Sequence, residues 1–273
     1  MRTTPSAEVQ ELGPHFDEFL AHESAKIGTT PDADWQPCWR RLSEGGWLNQ
    51  AGLYDARPSL SDSLVDLGYL AEIWARHMIP LPFTQAVVLE LFERSAADLE
   101  IASVDGRVLV PHPGWLSSGK PSLEEVDDFA TSLPIGSRDT PSGALADDDL
   151  MGAHAALLTA EAVGCANIAL ETAIAYAQTR QAYGQAVSSF QAIRHLFADM
   201  HTNVELARTG VVLVVQGAGD QAGQDAIRRC ISVVTSAIQV HGGMGFTWEI
   251  DLHRYLRHIL AVSKLFKLFK SGT

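Results

Sequence analysis

Apolar residues recur at three- and four-residue spacing through most of the chain, and Pro or Gly breaks that period at only a few places. The pattern predicts helices over Val9 to Glu23, Trp35 to Glu44, Leu60 to His77 and Thr84 to Arg94, with Pro80 and Pro82 marking the break before the last. Ser43-Glu44-Gly45-Gly46-Trp47 suits a helix that ends by turning at glycine. Helices follow again over Leu150 to Gln178, Phe190 to about Gln216, Asp225 to Val240 and Glu249 to about Lys270, and their Ala- and Leu-rich faces predict a helical bundle. The texture differs from about Ala96 to Ala146, where Ile101 to Val104 and Arg107 to Val110 flank Asp105-Gly106, a hairpin signal, and Pro, Gly and Ser become frequent. The expectation is a mainly α protein. An N-terminal helical domain (1–95) and a C-terminal helical bundle (150–273) are joined by a reduced β or linker segment (96–149).

Two stretches carry candidate chemistry. In Gln239-Val240-His241-Gly242-Gly243-Met244-Gly245-Phe246, three glycines interrupt a helical region. Glycine inside a helix costs roughly 1 kcal/mol relative to alanine, so such a break is kept for positive φ or for close approach of a ligand to bare backbone. Exposed N–H groups beside a helix end bind anions, and Gln239 offers an amide to a ribose or base. The glycines alone also fit a plain helix–helix turn. The second stretch is Arg180-Gln181-Ala182-Tyr183-Gly184-Gln185, followed by Phe190-Gln191 at the opening of a helix. Gly217 to Gly223 is expected to be a turn between helices and not a nucleotide loop, because no strand precedes it.

Taken in order, an Arg-x-x-aromatic-Gly segment, a Phe-Gln at a helix start and a later Gln-x-x-Gly-Gly-x-Gly-aromatic resemble the C-terminal helical domain of acyl-CoA dehydrogenases, over about Leu150 to Arg257. The resemblance implies FAD as cofactor. Arg180 would pair with the pyrophosphate, Tyr183 and Gln191 would border the adenosine half, and Gln239, Gly242 and Gly243 would close around the same cofactor. In that family these groups reach across a subunit interface into the neighbour's flavin site. A guanidinium suits a phosphate because it binds bidentately and stays charged.

At 273 residues the chain can bury a sizeable core but is short for the family, which carries a full β domain between its helical parts. No stretch resembles the Thr- and Ser-bearing segments with which the family grips the flavin ring. The family's base is in many members a glutamate shortly after an Arg-Asp pair; here Arg257 precedes His258, and an ungapped count places the base position at about Phe266. Glu161 and Glu205 lie on earlier helices, where solvation or ion pairing is the expected role, and His241, His253 and His258 are expected to be packing residues. No catalytic residue is therefore assigned. The formal charge of −13 argues against nucleic acid as a partner. Cys38, Cys165 and Cys230 lie far apart and read as reduced structural residues of a cytoplasmic protein; no metal spacing occurs. No signal core and no uninterrupted apolar run of membrane-spanning length is expected, hence no membrane partner.

The leading expectation is one subunit of a heteromeric FAD-dependent acyl-CoA dehydrogenase, similar to actinobacterial enzymes assembled from two different chains that act on bulky CoA thioesters such as steroid side chains. This chain would supply pyrophosphate and adenosine contacts, and a longer dehydrogenase-like partner the base and flavin groove. Two alternatives stay open: a self-sufficient homotetramer with an unusual base, and a non-catalytic scaffold or CoA-thioester binder without FAD.

Overall fold

A computed structural model describes residues 3–27, 36–48, 59–79, 81, 83–91, 103–104, 107–108, 148–218, 220–247 and 249–270. Eight helices run through the described residues: α1 (Ala7–Ile27), α2 (Gln36–Glu44), α3 (Leu60–Arg76), α4 (Phe83–Leu91), α5 (Asp148–Thr179), α6 (Gln191–Val215), α7 (Asp220–His241) and α8 (Leu252–Lys270). Two short antiparallel pairs complete them: β1 (Ser103–Val104) with β2 (Arg107–Val108), and β3 (Gln181–Ala182) with β4 (Gln185–Ala186). The first pair frames the expected Asp105-Gly106 turn, with Val104 opposite Arg107. The remainder of the 96–149 segment up to 147, and the expected extension of α4 to Arg94, lie outside the described residues.

Local chemistry sets the helix ends. Ser59 caps α3, its hydroxyl accepting from the Asp62 N–H at 3.2 Å, and Asp62 adds a negative charge to the first turn. The end of α2 behaves as expected. Gly46 takes φ 74°, and the N–H groups of Gly46 and Trp47 return to the carbonyls of Ser43 and Leu42 at 3.1 and 3.0 Å, the double closure of a Schellman turn. The expected turn over 217–223 is shorter: Gly217, at φ 74°, ends α6, but α7 already begins at Asp220, so Gly223 lies inside a helix.

The bundle is organised around α5. Ala155, Ala160, Ala162, Ala166, Ala169 and Ala173 are fully buried, and α3, α6, α7 and α8 all pack on this helix. Small side chains let the neighbours come close: at Gly164 a Cβ would overlap the backbone of Glu72 on α3. By length and composition the stretch Met151–Thr179 could cross a bilayer, yet 89% of its most apolar window is buried inside the protein. Glu161 and Glu171 interrupt the stretch, so it is not an uninterrupted apolar run of spanning length. It is the core helix of a bundle.

A second apolar cluster joins the N-terminal helices to α3 and to the start of α5. Phe16, Leu20, Leu67, Trp74, Phe83 and Leu157 are buried there, with Trp74 stacked on Phe83 at 4.8 Å. Ser6, ahead of α1, is pinned to Asp66 on α3 through its N–H (2.7 Å) and its hydroxyl (3.1 Å). Where α3 faces α5 and α6, Arg208 bonds both carboxylate oxygens of Glu72, and Arg76 pairs bidentately with Glu171. Burial pushes the Glu72 carboxyl up, and Arg208 pulls it back.

Candidate cofactor-contact end of the bundle

The C-terminal ends of α5 and α7 lie side by side. The ring of Tyr176 stacks on that of His241 at 4.3 Å and 26°, and His241, 4% exposed, has its Nδ1 2.8 Å from the Ala237 carbonyl. His241 is a packing residue, as expected. One turn beyond Tyr176 comes Arg180, and directly after His241 comes the glycine break, so both candidate stretches leave the bundle at the same end.

Arg180 opens a two-residue hairpin. Its N–H donates to Tyr176 and its carbonyl accepts from Val187, each at 2.8 Å, and β3 and β4 pair Gln181 with Ala186. Tyr183 and Gly184 form the tip with φ 52° and 79°, the double positive φ of a type I′ turn. Glycine adopts this without strain; tyrosine does not. Tyr183 is also 98% exposed, its only ring neighbour among the described residues being Phe190, edge-on at 6.4 Å. It is no core aromatic.

Past the hairpin, Val187–Ser189 form a 3₁₀ turn and α6 starts at Gln191. Its N-cap is Phe190, which has no side-chain acceptor, and the first turn holds no acidic residue. A 25-residue helix thus presents its partly positive end without a side-chain cap. Arg180 and Gln191 are exposed beside it, and among the described residues the Arg180 guanidinium has no carboxylate partner. Arg194, in contrast, donates from Nε to the Ser188 carbonyl at 3.1 Å.

The glycine break is a 3₁₀ turn, Gly242–Phe246, and its glycines differ in purpose. Gly245 is buried, and a Cβ there would meet the Ile238 carbonyl at 2.5 Å, so its bareness serves internal packing. Gly242, at φ 60°, and Gly243 are exposed, with nothing among the described residues within 4 Å of an added Cβ. Gln239 is exposed one turn earlier. The structure therefore places Arg180, Tyr183 and Gln191 along one continuous hairpin-to-helix segment, Gln239, Gly242 and Gly243 along another, and both at one end of the bundle. Met244 and Phe246, 42% and 74% exposed, add apolar surface that the glycine motif alone did not flag as solvent-facing.

Each candidate base position is buried or ion-paired. Phe266 is 1% exposed and packs onto α7 at Gly223. Glu205 is a surface residue paired with Arg208. Glu161 is 1% exposed and paired with His258 at 2.9 Å. A pocket of about 350 Å³ between α1, α3, α5 and α6 is walled by Tyr69, Glu72, Arg76, Asn167 and Arg208, whose charges are already paired with one another or with Glu171 and Glu205. Burial pushes the Cys38 thiol up to about 12 and raises those of Cys165 and Cys230 as well, so none is a nucleophile.

Residues 145–264 match the profile described as acyl-CoA dehydrogenase, C-terminal domain. The acyl-CoA dehydrogenase IpdE2 of Mycolicibacterium smegmatis is 32% identical over 166 residues, which is 59% of this chain and 51% of that protein. IpdE2 of Mycobacterium tuberculosis is 26% identical over 254 residues, 80% of this chain and 79% of that one. The chain thus spans about half the length of the first relative, 51%. Among solved structures, the Tcur3481-Tcur3483 steroid ACAD matches with a TM-score of 0.68 at 21% identity, over 97% of this chain and 96% of that one. A chain of the ChsE4-ChsE5 complex from Mycobacterium tuberculosis matches with a TM-score of 0.61 at 17% identity, over 100% and 96%.

Proposed function

We propose that this chain, whose residues 145–264 match the C-terminal domain profile of acyl-CoA dehydrogenases, is the completing subunit of a heteromeric FAD-dependent acyl-CoA dehydrogenase. The observation that carries this reading is directional. A guanidinium without a carboxylate partner among the described residues, a helix N-terminus without a side-chain cap and two open glycines lie exposed at one end of the bundle.

These residues suit a dinucleotide seated against the chain's exterior. Arg180 and the first turn of α6 would hold the diphosphate, since guanidinium and helix N-terminus both favour anions. Gln191 and Gln239 offer amides for the ribose or base, and Gly242 and Gly243 leave room for backbone approach. Tyr183 provides an aromatic face beside them. When bound, the flavin supplies the hydride acceptor for α,β-desaturation of a CoA thioester. This chain's own residues bind and orient it. The α-proton would be taken by a carboxylate of a longer partner, because Phe266 is apolar and buried and Glu161 is sequestered. The solved structures of similar fold that are named as a steroid ACAD and as the ChsE4-ChsE5 complex support a bulky, steroid-like acyl group and an unlike partner.

The test is co-expression with a longer acyl-CoA dehydrogenase homologue, reading native mass and flavin absorbance together. A yellow complex of two unlike chains is expected, with this chain colourless alone. Arg180→Ala should weaken flavin retention by about 10- to 100-fold while leaving the chain's stability unchanged, as expected for loss of one charge-assisted bidentate contact. A yellow, catalytically active assembly of this chain alone would favour the homotetramer. Flavin content unmoved by Arg180→Ala would overturn the cofactor contact.

A further inference from the structure

Glu161, midway along α5, has both carboxylate oxygens engaged. Its Oε2 lies 2.9 Å from Nε2 of His258 on α8, and its Oε1 accepts from the hydroxyl of Thr84 on α4. Thr84, Glu161 and His258 are 1%, 1% and 4% exposed. One buried carboxylate therefore bridges the N-terminal helices and the last helix of the bundle from within α5.

Next to Thr84, Gln85 places its Oε1 3.2 Å from the same hydroxyl, and its buried Nε2 has no partner among the described residues. A hydroxyl has one proton and cannot serve Gln85 and Glu161 together. Turning the amide by 180° puts the Nε2–H on the Thr84 oxygen, gives the orphaned donor its acceptor and leaves the hydroxyl proton for Glu161. Every donor then points one way, from Gln85 to Thr84 to Glu161, with His258 donating from the opposite side. In a low-dielectric interior such a chain is polarised along its length, so its members act together.

We propose that this relay is a lock that couples the seating of α4 to the seating of α8, two helices from different halves of the chain, through the Glu161 carboxylate. It rests on the fold alone and not on the cofactor reading, so a colourless complex leaves it standing. Around the lock, α4 contributes Thr84 and Gln85, α5 contributes Glu161 and Cys165 one turn on, and α8 contributes His258.

The experiment is hydrogen exchange on the full chain, read separately for the amides of α4 and α8. Thr84→Val should raise exchange in α8 by on the order of tenfold, and His258→Phe, which removes the donor to Glu161, should do the same in α4. Thr84→Ser, which keeps the hydroxyl, should leave α8 at the wild-type rate. The double variant Thr84→Val/His258→Phe should fall short of the product of the two single effects. Equal effects of Thr84→Ser and Thr84→Val on α8 overturn the lock, as does a fully multiplicative double variant. Should His258→Phe not fold, the Ser and Val comparison at Thr84 decides alone.

Discussion

The ring of Phe266 on α8 rests on the backbone of α7 at Gly223, where a Cβ would overlap ring carbons Cζ and Cε2. Phe266 is 1% exposed, so the ring has nowhere to retreat. Gly223→Ala should therefore lower stability by about 1–3 kcal/mol, the cost of overpacking a dense core. Adding Phe266→Leu should recover part of that loss. Urea midpoints at constant m-value measure both.

The three glycines of the 242–246 turn should separate by readout. Gly245→Ala meets the Ile238 carbonyl and should unfold or strongly destabilise the chain, by about 2 kcal/mol or more. Gly242→Ala pays about 1 kcal/mol for its positive φ. Gly243→Ala has free space and should leave the melting temperature unchanged, while its new methyl group blocks close approach and lowers flavin retention in the complex. Gly243→Ala retaining full flavin would remove that glycine from the contact surface.

Tyr183 holds φ 52° at the hairpin tip with almost its whole side chain in solvent. Asparagine is preferred at this position of a type I′ turn, so Tyr183→Asn should stabilise the isolated chain by about 0.5–1 kcal/mol. The same substitution should weaken the complex. A tyrosine at positive φ whose ring meets only the edge of Phe190 among the described residues is the observation that motivates the proposed external contact. Thermal melts of the chain and native mass of the complex test the two halves of this statement.

Glu23 on α1 is 1% exposed and bonds Arg41 on α2 and, at 3.3 Å, Lys26. Burial pushes its carboxyl up, but Arg41 and Lys26 outweigh burial and hold it below the usual glutamate value. A carboxyl depressed in the folded state contributes stability above its unfolded value, near 4.3, and loses that contribution as pH falls through the folded value. Glu23→Gln should thus cost about 1–2 kcal/mol at neutral pH and nothing in strong acid. Melting curves of the two chains from pH 7 downward should converge below about pH 4.

Helices with strong periodicity and marked ends were legible in the sequence. The expected helix Leu60 to His77 starts where α3 starts and overruns its end by one residue, and Gly45-Gly46 announces the close of α2. The start of α7 was misplaced by five residues. Gly223 looks like loop material, yet it is bare because Phe266, forty-three positions later, needs the space, and such a tertiary demand leaves no local trace. The order Arg180, Gln191, Gln239, Gly242 was visible as text. That both segments leave the bundle at one end depends on the Tyr176–His241 stack, which no spacing rule reveals. Tyr183 pointing into solvent, and Glu161 locked inside, likewise emerge only once the helices are assembled.

The burial of α5 has a consequence for biogenesis. Its alanine-rich surface leaves the ribosome before α6, α7 and α8, which sheath it, have been made. During that interval a helix with the hydropathy of a bilayer-spanning segment is covered only on the face that the earlier helices, α3 above all, can take. The newborn protein should therefore depend on holdase chaperones, and slowing translation downstream of Thr179 should increase the fraction lost to aggregation.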